Sequence, residues 1–122
     1  MLDLVNEERR QAGLAPLELD LGLAKLASMK AYDMIENCYF GHCSDLYGKA
    51  YDMVIQYKPG YTYSGENLAL KFKDHTSVHH AWMGSVLHRR NILDKNYSHF
   101  GCSWVDMNED ERIYVQIFAG LC

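Results

Sequence analysis

Between Leu23 and Ile35 the apolar residues Leu23, Leu26, Ala27, Ala31, Met34 and Ile35 recur three or four positions apart. That period lines up side chains on one face of an α-helix. Asp20 precedes the run with an oxygen suited to the free N–H groups of a first turn. The helix is predicted to end near Asn37. An earlier helix is predicted over Leu2 to Gln11, where Leu4 and Val5 lead into Glu7-Glu8-Arg9-Arg10. Gly13 follows where a terminating glycine is expected. Ala15-Pro16-Leu17 reads as an extended connector and Tyr39-Phe40-Gly41-His42 as a turn. Tyr51, Val54 and Ile55 point to a short third helix within Asp45 to Tyr57, and Pro59-Gly60 breaks the chain.

The second half changes period. Tyr61 to Leu70 contains a predicted strand, kinked at Ser64-Gly65. Asp74 is placed to cap a helix running through Val78, Trp82 and Ser85, and Leu87 to Leu93 reads as irregular or 3₁₀ structure. Phe100 to Val105 and Arg112 to Ala119 read as strands joined by the polar turn Asn108-Glu109-Asp110. Trp82, Phe100, Ile113, Val115 and Ile117 are expected in the core, while Trp104 and Tyr114 are candidates for a groove. Helices first and a hairpin last make an α+β domain. At 122 residues the expectation is one domain, residues 1–122, with a single core.

Composition narrows the function classes. The net charge is −4 and no basic stripe is visible, which argues against nucleic acid as a partner. No apolar run approaches the roughly 18 residues of a membrane span. No leader segment stands before the first helix, which fits a cytosolic protein or the exported part of a longer chain. Cys38, Cys43, Cys102 and Cys122 allow three pairings. Cys38 and Cys43 are close enough in sequence to pair across a turn. The absence of a C-x-x-C pair weakens zinc-ribbon and thioredoxin-like readings.

Three segments place a histidine or a carboxylate beside a helix end or turn. They are Gly41-His42-Cys43-Ser44, Ser64-Gly65-Glu66-Asn67 and the stretch from Ala81 to Leu93 that holds Ser85 and His88. Two imidazoles and a carboxylate (His42, His88 and Glu66) can make a metal or polar-ligand site, although no local spacing rule requires them to meet. Each has a plainer reading. His42 can satisfy a backbone carbonyl in its turn, Glu66 can brace its loop, and His88 can oppose a helix dipole. Ser85 lies three residues before His88 and can share its helix face, but nothing near it resembles a nucleophile elbow. His75 and His79 stand at the i, i+4 spacing of a metal-gripping pair. Thr76 occupies the place of a metalloprotease glutamate, so a surface histidine cluster is expected there. Cys43 is a candidate reactive thiol, a disulfide partner or an inert one.

The ordered segments together resemble a known family. Val5-Asn6-Glu7-Glu8-Arg9-Arg10, Leu17-Glu18-Leu19-Asp20, Ala31-Tyr32-Asp33-Met34, Tyr39-Phe40-Gly41-His42, Gly65-Glu66-Asn67, Ala81-Trp82, His88-Arg89-Arg90-Asn91-Ile92-Leu93, Phe100-Gly101 and Tyr114-Val115-Gln116-Ile117-Phe118 run in the order of a CAP-superfamily domain. That superfamily takes in cysteine-rich secretory proteins, antigen 5 and plant pathogenesis-related proteins. The His-Arg-x-Asn-Ile-Leu form resembles its bacterial branch. The resemblance implies an α-β-α sandwich with a small antiparallel sheet between helical layers. It also implies a cleft holding His42, Glu66 and His88, with Ser85 where eukaryotic members carry a second glutamate. Some members bind metal, commonly zinc, through the two histidines; others bind sterols, lipids, peptides or proteins. The resemblance therefore favours an exported, extracellular or cell-surface, monomeric and non-enzymatic module. Its cleft would take a divalent metal through His42 and His88, or a small polar, peptide or protein ligand. A metal-assisted peptidase or esterase with Glu66 as base is the second reading. An apolar-ligand groove flanked by Tyr57, Tyr61 and Tyr63 is the third.

Overall fold

The computed structural model describes residues 1–121. Its elements, in chain order, are α1 (Leu2–Gln11), β1 (Glu18–Leu19), α2 (Leu21–Glu36), α3 (Ala50–Tyr57), β2 (Tyr63–Leu70), α4 (His75–Met83), α5 (Val86–Ile92), β3 (His99–Asp106) and β4 (Arg112–Gly120). The strands form one sheet in the order β1-β3-β4-β2. The β2–β4 and β3–β4 pairs are antiparallel, as expected. The two-residue β1 adds a parallel edge, so the sheet is mixed rather than purely antiparallel. The extended connector after Pro16 supplies that strand on its way into α2.

Strand β4 explains the layering. Successive strand residues point to opposite faces, and all of Ile113–Gly120 is buried. Ile113, Val115, Ile117 and Ala119 enter one core with Leu23, Leu26, Ala31 and Met34 of α2 and Met53 and Val54 of α3. Tyr114 and Phe118 enter the other with Val5 of α1, Val78 and Trp82 of α4 and Ile92 of α5. A central strand with both faces covered by helices is an α-β-α sandwich. Tyr114 is therefore core, not groove; Trp104 stays partly exposed, with the Arg112 guanidinium 4.3 Å above its ring.

Several local expectations change. Gly84 ends α4, and Ser85, in extended conformation, begins a separate helix, α5, where irregular structure was expected. The strand β2 pairs with β4 without interruption through Ser64 and Gly65, so there is no kink. Gly65 serves a close approach instead: a Cβ there would stand 2.9 Å from Asn91 Oδ1, against Tyr97. Cys38, Cys43 and Cys102 carry free thiols, and Cys38 and Cys43 are exposed rather than paired. Burial pushes the Cys102 thiol up to about 12. Cys122 lies outside the described residues.

The pair His75 and His79 is not a surface cluster either. His79 is 2% exposed in the layer between α1 and α4, and neither ring nitrogen has a hydrogen-bond partner. Glu8 Oε1 stands 3.5 Å from its Nε2. Burial lowers the pKa of His79, only partly offset by Glu8, and His80 lowers it further. Below about pH 6.5 the unfolded chain takes up this proton more readily than the folded one. Stability then falls as the pH drops through that window and is regained above it. Urea unfolding between pH 7.5 and 5 is expected to show this loss, and His79→Leu to flatten it. An unchanged slope in the variant would exclude His79 as the source.

Candidate functional site

The site sits where β2, an edge strand, meets both helical layers. Glu66 pairs with Ile117 and so faces the α2 side, while the next residue, Asn67, pairs with Gln116 and faces the α5 side. One strand thus sends a carboxylate towards the loop after α2 and an amide towards α5.

On the first side, His42 Nδ1 lies 2.8 Å from Glu66 Oε1. A buried carboxylate accepts, so Nδ1 donates and Nε2 is the outward nitrogen of this ring. The Glu66 side chain is 3% exposed and that of His42 56%, so the pair has a buried base and an open tip. The second Glu66 oxygen, Oε2, is buried and has no hydrogen-bond partner. The loop carrying His42 is tied from below. Lys30, fully buried, donates to the His42 carbonyl at 2.9 Å, with its ammonium 5.2 Å from the centre of the Tyr39 ring. Burial lowers the Lys30 pKa, and Glu66, Asp33 and Cys43 act in the opposite direction. Beside it Asp33 accepts from Asn37 Nδ2 at 2.7 Å, Ser44 Oγ at 2.5 Å and the Tyr39 hydroxyl. Burial opposes the charge on Asp33, but those donors and Lys30 more than offset it and hold its pKa below the ordinary value. Burial, and then the bond to Asp33, push the Tyr39 hydroxyl up to about 12.

On the second side, Asn67 Nδ2 donates to the His88 carbonyl at 3.1 Å and to Gln116 Oε1 at 3.2 Å. Asn91 Nδ2 donates to Asn67 Oδ1 at 2.9 Å and to the Glu66 carbonyl at 3.1 Å. This amide net fixes α5 against β2. The His88 ring packs 6.5 Å from that of Trp82. Burial depresses its pKa, and the nearby His42 depresses it further.

Of the four cleft residues expected from sequence, His42 and Glu66 are bonded to each other, while the His88 ring packs by Trp82 and its carbonyl accepts from Asn67. Ser85 is at the N-cap of α5, makes no capping bond and is joined to none of the other three. Among the described residues, no three His, Cys, Asp or Glu side chains form a metal-holding group. A depression of about 630 Å³ opens beside this site, lined by Asp33, Asn37, Tyr39, Cys43, Asp45 and Leu46. It runs along the loop after α2 and shares Asp33 and Tyr39 with the network under His42, but His42, Glu66 and His88 do not line it. Of the expected tyrosine groove, Tyr57 and Tyr63 are exposed, while Tyr61 donates to Asp20 Oδ2 at 2.6 Å and packs on the core.

Sequence reasoning missed Lys30 and Asp33. A signal was present: Lys30 falls three residues after Ala27 and four before Met34, inside the apolar stripe of α2. A charge on a buried stripe requires a partner, and Asp33 is the nearest acid on the same helix.

With this geometry in hand, the comparisons agree. The profile of the CAP family, the cysteine-rich secretory protein family, matches residues 2–118. The chain belongs to the CAP family. The uncharacterized protein YkwD of Bacillus subtilis (strain 168) is 40% identical over 120 residues, covering 98% of this chain and 46% of that protein. The uncharacterized membrane protein YlbC of the same organism is 35% identical over 118 residues, covering 97% of this chain and 33% of its own length. This CAP chain thus spans less than half the length of the curated relatives it matches. An extracellular protein containing an SCP domain from Bacillus anthracis superposes with a TM-score of 0.86 at 29% identity, covering 98% of this chain and 38% of the other. An outer surface protein from Borrelia burgdorferi superposes with a TM-score of 0.89 at 23% identity, over 99% and 90% of the two chains, and shows the shared fold. No helix among the described residues is long and apolar enough to cross a membrane.

Proposed function

We infer that this CAP module acts by binding, and that its cleft takes a divalent cation such as zinc through His42 Nε2 and His88. The observation that carries the reading is the His42–Glu66 pair: a buried carboxylate fixes the tautomer that aims the free nitrogen outward. A carboxylate behind a ligating histidine orients the ring and raises its basicity. The donor set fits an open site. Two imidazoles leave coordination positions for water or a polar group of a peptide, which suits a binding site better than a closed structural centre. NaASP2, a fold relative at 16% identity with a TM-score of 0.66, has been solved with Zn²⁺.

Binding is favoured over metal-assisted hydrolysis because of Glu66. Its Oε1 is committed to His42 and its Oε2 is buried, so it is poorly placed to take a proton from water in the cleft. The depression beside the site mixes the polar groups of Asp33, Asn37 and Asp45 with the apolar surface of Tyr39 and Leu46, which suits a peptide better than a bare ion. Relatives that include an extracellular protein and an outer surface protein support export as the setting.

Zinc titration by calorimetry at pH 7.5 tests the reading. Binding is expected in the wild type, lost in His42→Ala/His88→Ala, kept in His80→Ala, and weakened at lower pH, where protons compete with the metal for ring nitrogens. Zinc binding that survives the double variant, or none in the wild type, would sink it.

A further inference from the structure

Two depressions in the surface share one wall. Tyr39, in the loop after α2, lines both the depression described above and a second one of about 410 Å³. Their chemistry differs. The second is walled by Ile35, Phe40, Leu70 and Met107 and by no charged side chain among the described residues. The first holds two carboxylates, Asp33 and Asp45, and no basic side chain among the described residues. Asp45 is exposed and makes no ion pair among those residues. The stretch from Phe40 to Cys43 joins the two, since Phe40 lines the second depression and Cys43 the first. Among the described residues, none of its four N–H groups donates to a backbone carbonyl. Phe40, His42 and Cys43 are exposed, so water can satisfy these groups. A ligand that brings its own carbonyls can replace that water.

We propose that the two depressions form one peptide groove, for an extended segment that carries an apolar side chain and, two positions away, a lysine or arginine. In an extended chain, side chains two positions apart point the same way, about 7 Å from each other. One then sits on each side of the Tyr39 ring. The apolar side chain enters between Phe40, Leu70 and Met107, and the cation meets Asp45, with Asp33 behind it. The peptide carbonyls accept from the free N–H groups of Phe40 to Cys43. Recognition by strand addition works in this way: main-chain bonds give affinity and side-chain pockets give specificity. A lipid can fill the apolar half but brings no row of carbonyls for these N–H groups. The proposal rests on the module acting by binding, but it needs no metal, and the imidazoles of His42 and His88 take no part in it.

The test uses metal-free protein and blocked alanine pentapeptides carrying leucine and lysine two positions apart, in both orders. In ¹H–¹⁵N spectra the backbone amide signals of Phe40 to Cys43 are expected to shift saturably with at least one order. No saturable shift with either order overturns the proposal. Serine in place of the leucine should weaken binding about tenfold or more, the loss of one buried aliphatic side chain. Asp45→Asn should weaken the lysine peptide about two- to fivefold, the range for a part-exposed ion pair. It should leave a peptide with glutamine in place of the lysine unchanged. An Asp45→Asn variant that binds the lysine peptide like the wild type overturns the cationic half. The exposed free thiols give a second readout, because Cys38 lines the apolar depression and Cys43 the polar one. Bound peptide should slow alkylation of both by N-ethylmaleimide, read at each cysteine by mass spectrometry. Protection of one alone, or of neither, overturns the joined groove. Octylammonium carries an alkyl chain and a cation without a peptide backbone, and it should bind more weakly than the peptide; equal or tighter binding overturns the peptide in favour of an apolar ligand. A wild type that binds peptide but no zinc defeats the cation reading alone. One that binds zinc but no peptide defeats this proposal alone.

Discussion

Arg9→Met is expected to cost the fold about 3–5 kcal/mol, the range for breaking a buried charged network. Arg9 belongs to a charged run on α1, yet it is 1% exposed. It sits one turn after the buried Val5, on the same face of the helix. Its guanidinium donates to four carbonyls: Ala15 at 2.8 Å, Ile92 at 2.9 Å, Asp94 at 2.9 Å and Tyr97 at 3.2 Å. These acceptors come from the turn after α1, the end of α5 and the loop into β3. Methionine fills similar volume but donates nothing, and each orphaned carbonyl costs about 1–3 kcal/mol unless water reaches it. Urea unfolding should show a lower midpoint with the slope kept, and a melting temperature reduced by about 10 °C or more. Arg9→Lys should recover only part, because one ammonium cannot span a planar fork. A loss below about 1 kcal/mol for the methionine variant would show that these carbonyls find other donors. Because Tyr97 also lies against Gly65, next to Glu66, the cleft should loosen along with the fold.

The helices were readable where the pattern is local. The stripe of α2 and its cap at Asp20 need only neighbours in sequence, and Asp20 Oδ1 accepts from the N–H groups of Gly22 and Leu23 as expected. Asp74 likewise caps α4 through Ser77. The short helix α5 was not readable. Its one buried residue is Ile92, and Val86 and Leu87 are exposed, so no apolar period marks it. What holds α5 is the amide net from Asn67 and Asn91, which joins residues more than 20 positions apart. The cleft divides in the same way. His42, Glu66 and His88 were named through family resemblance rather than spacing, because they come from the loop after α2, from β2 and from α5, segments that no local pattern joins. Lys30 and Arg9 each break an apolar stripe with a charge, a local signal whose partners are distant. His79 shows the converse: its i, i+4 spacing to His75 reads as a metal pair, but the ring is buried between α1 and α4, and only the packing shows that.

Gly101→Ala is expected to destabilise the protein by about 3 kcal/mol, the upper part of the overpacking range. Gly101 is in β3, opposite Ile117, and is buried. An added methyl there would overlap the backbone of Leu23 and Ala24 and stand 2.7 Å from Leu23 Cβ. Flexible side chains can yield to such a methyl; these are backbone atoms of the first turn of α2, which Asp20 holds by two bonds. For the methyl to fit, α2 must lift from the sheet or lose its cap. Gly41→Ala is the control, since nothing lies within 4 Å of its added methyl; it should be close to neutral although it adjoins His42. Gly13→Ala separates the two ways a glycine matters. Its surroundings are open, but its φ is +76°, so the cost should be the backbone strain alone, about 1 kcal/mol. Chemical denaturation of the three variants should therefore rank Gly101 well above Gly13, and Gly13 above Gly41. A Gly101 variant as stable as the wild type would mean that α2 can move on the sheet. Lys30 and His42 ride on α2 and the loop that follows it, so such movement would also remove the rigid support that the cleft requires.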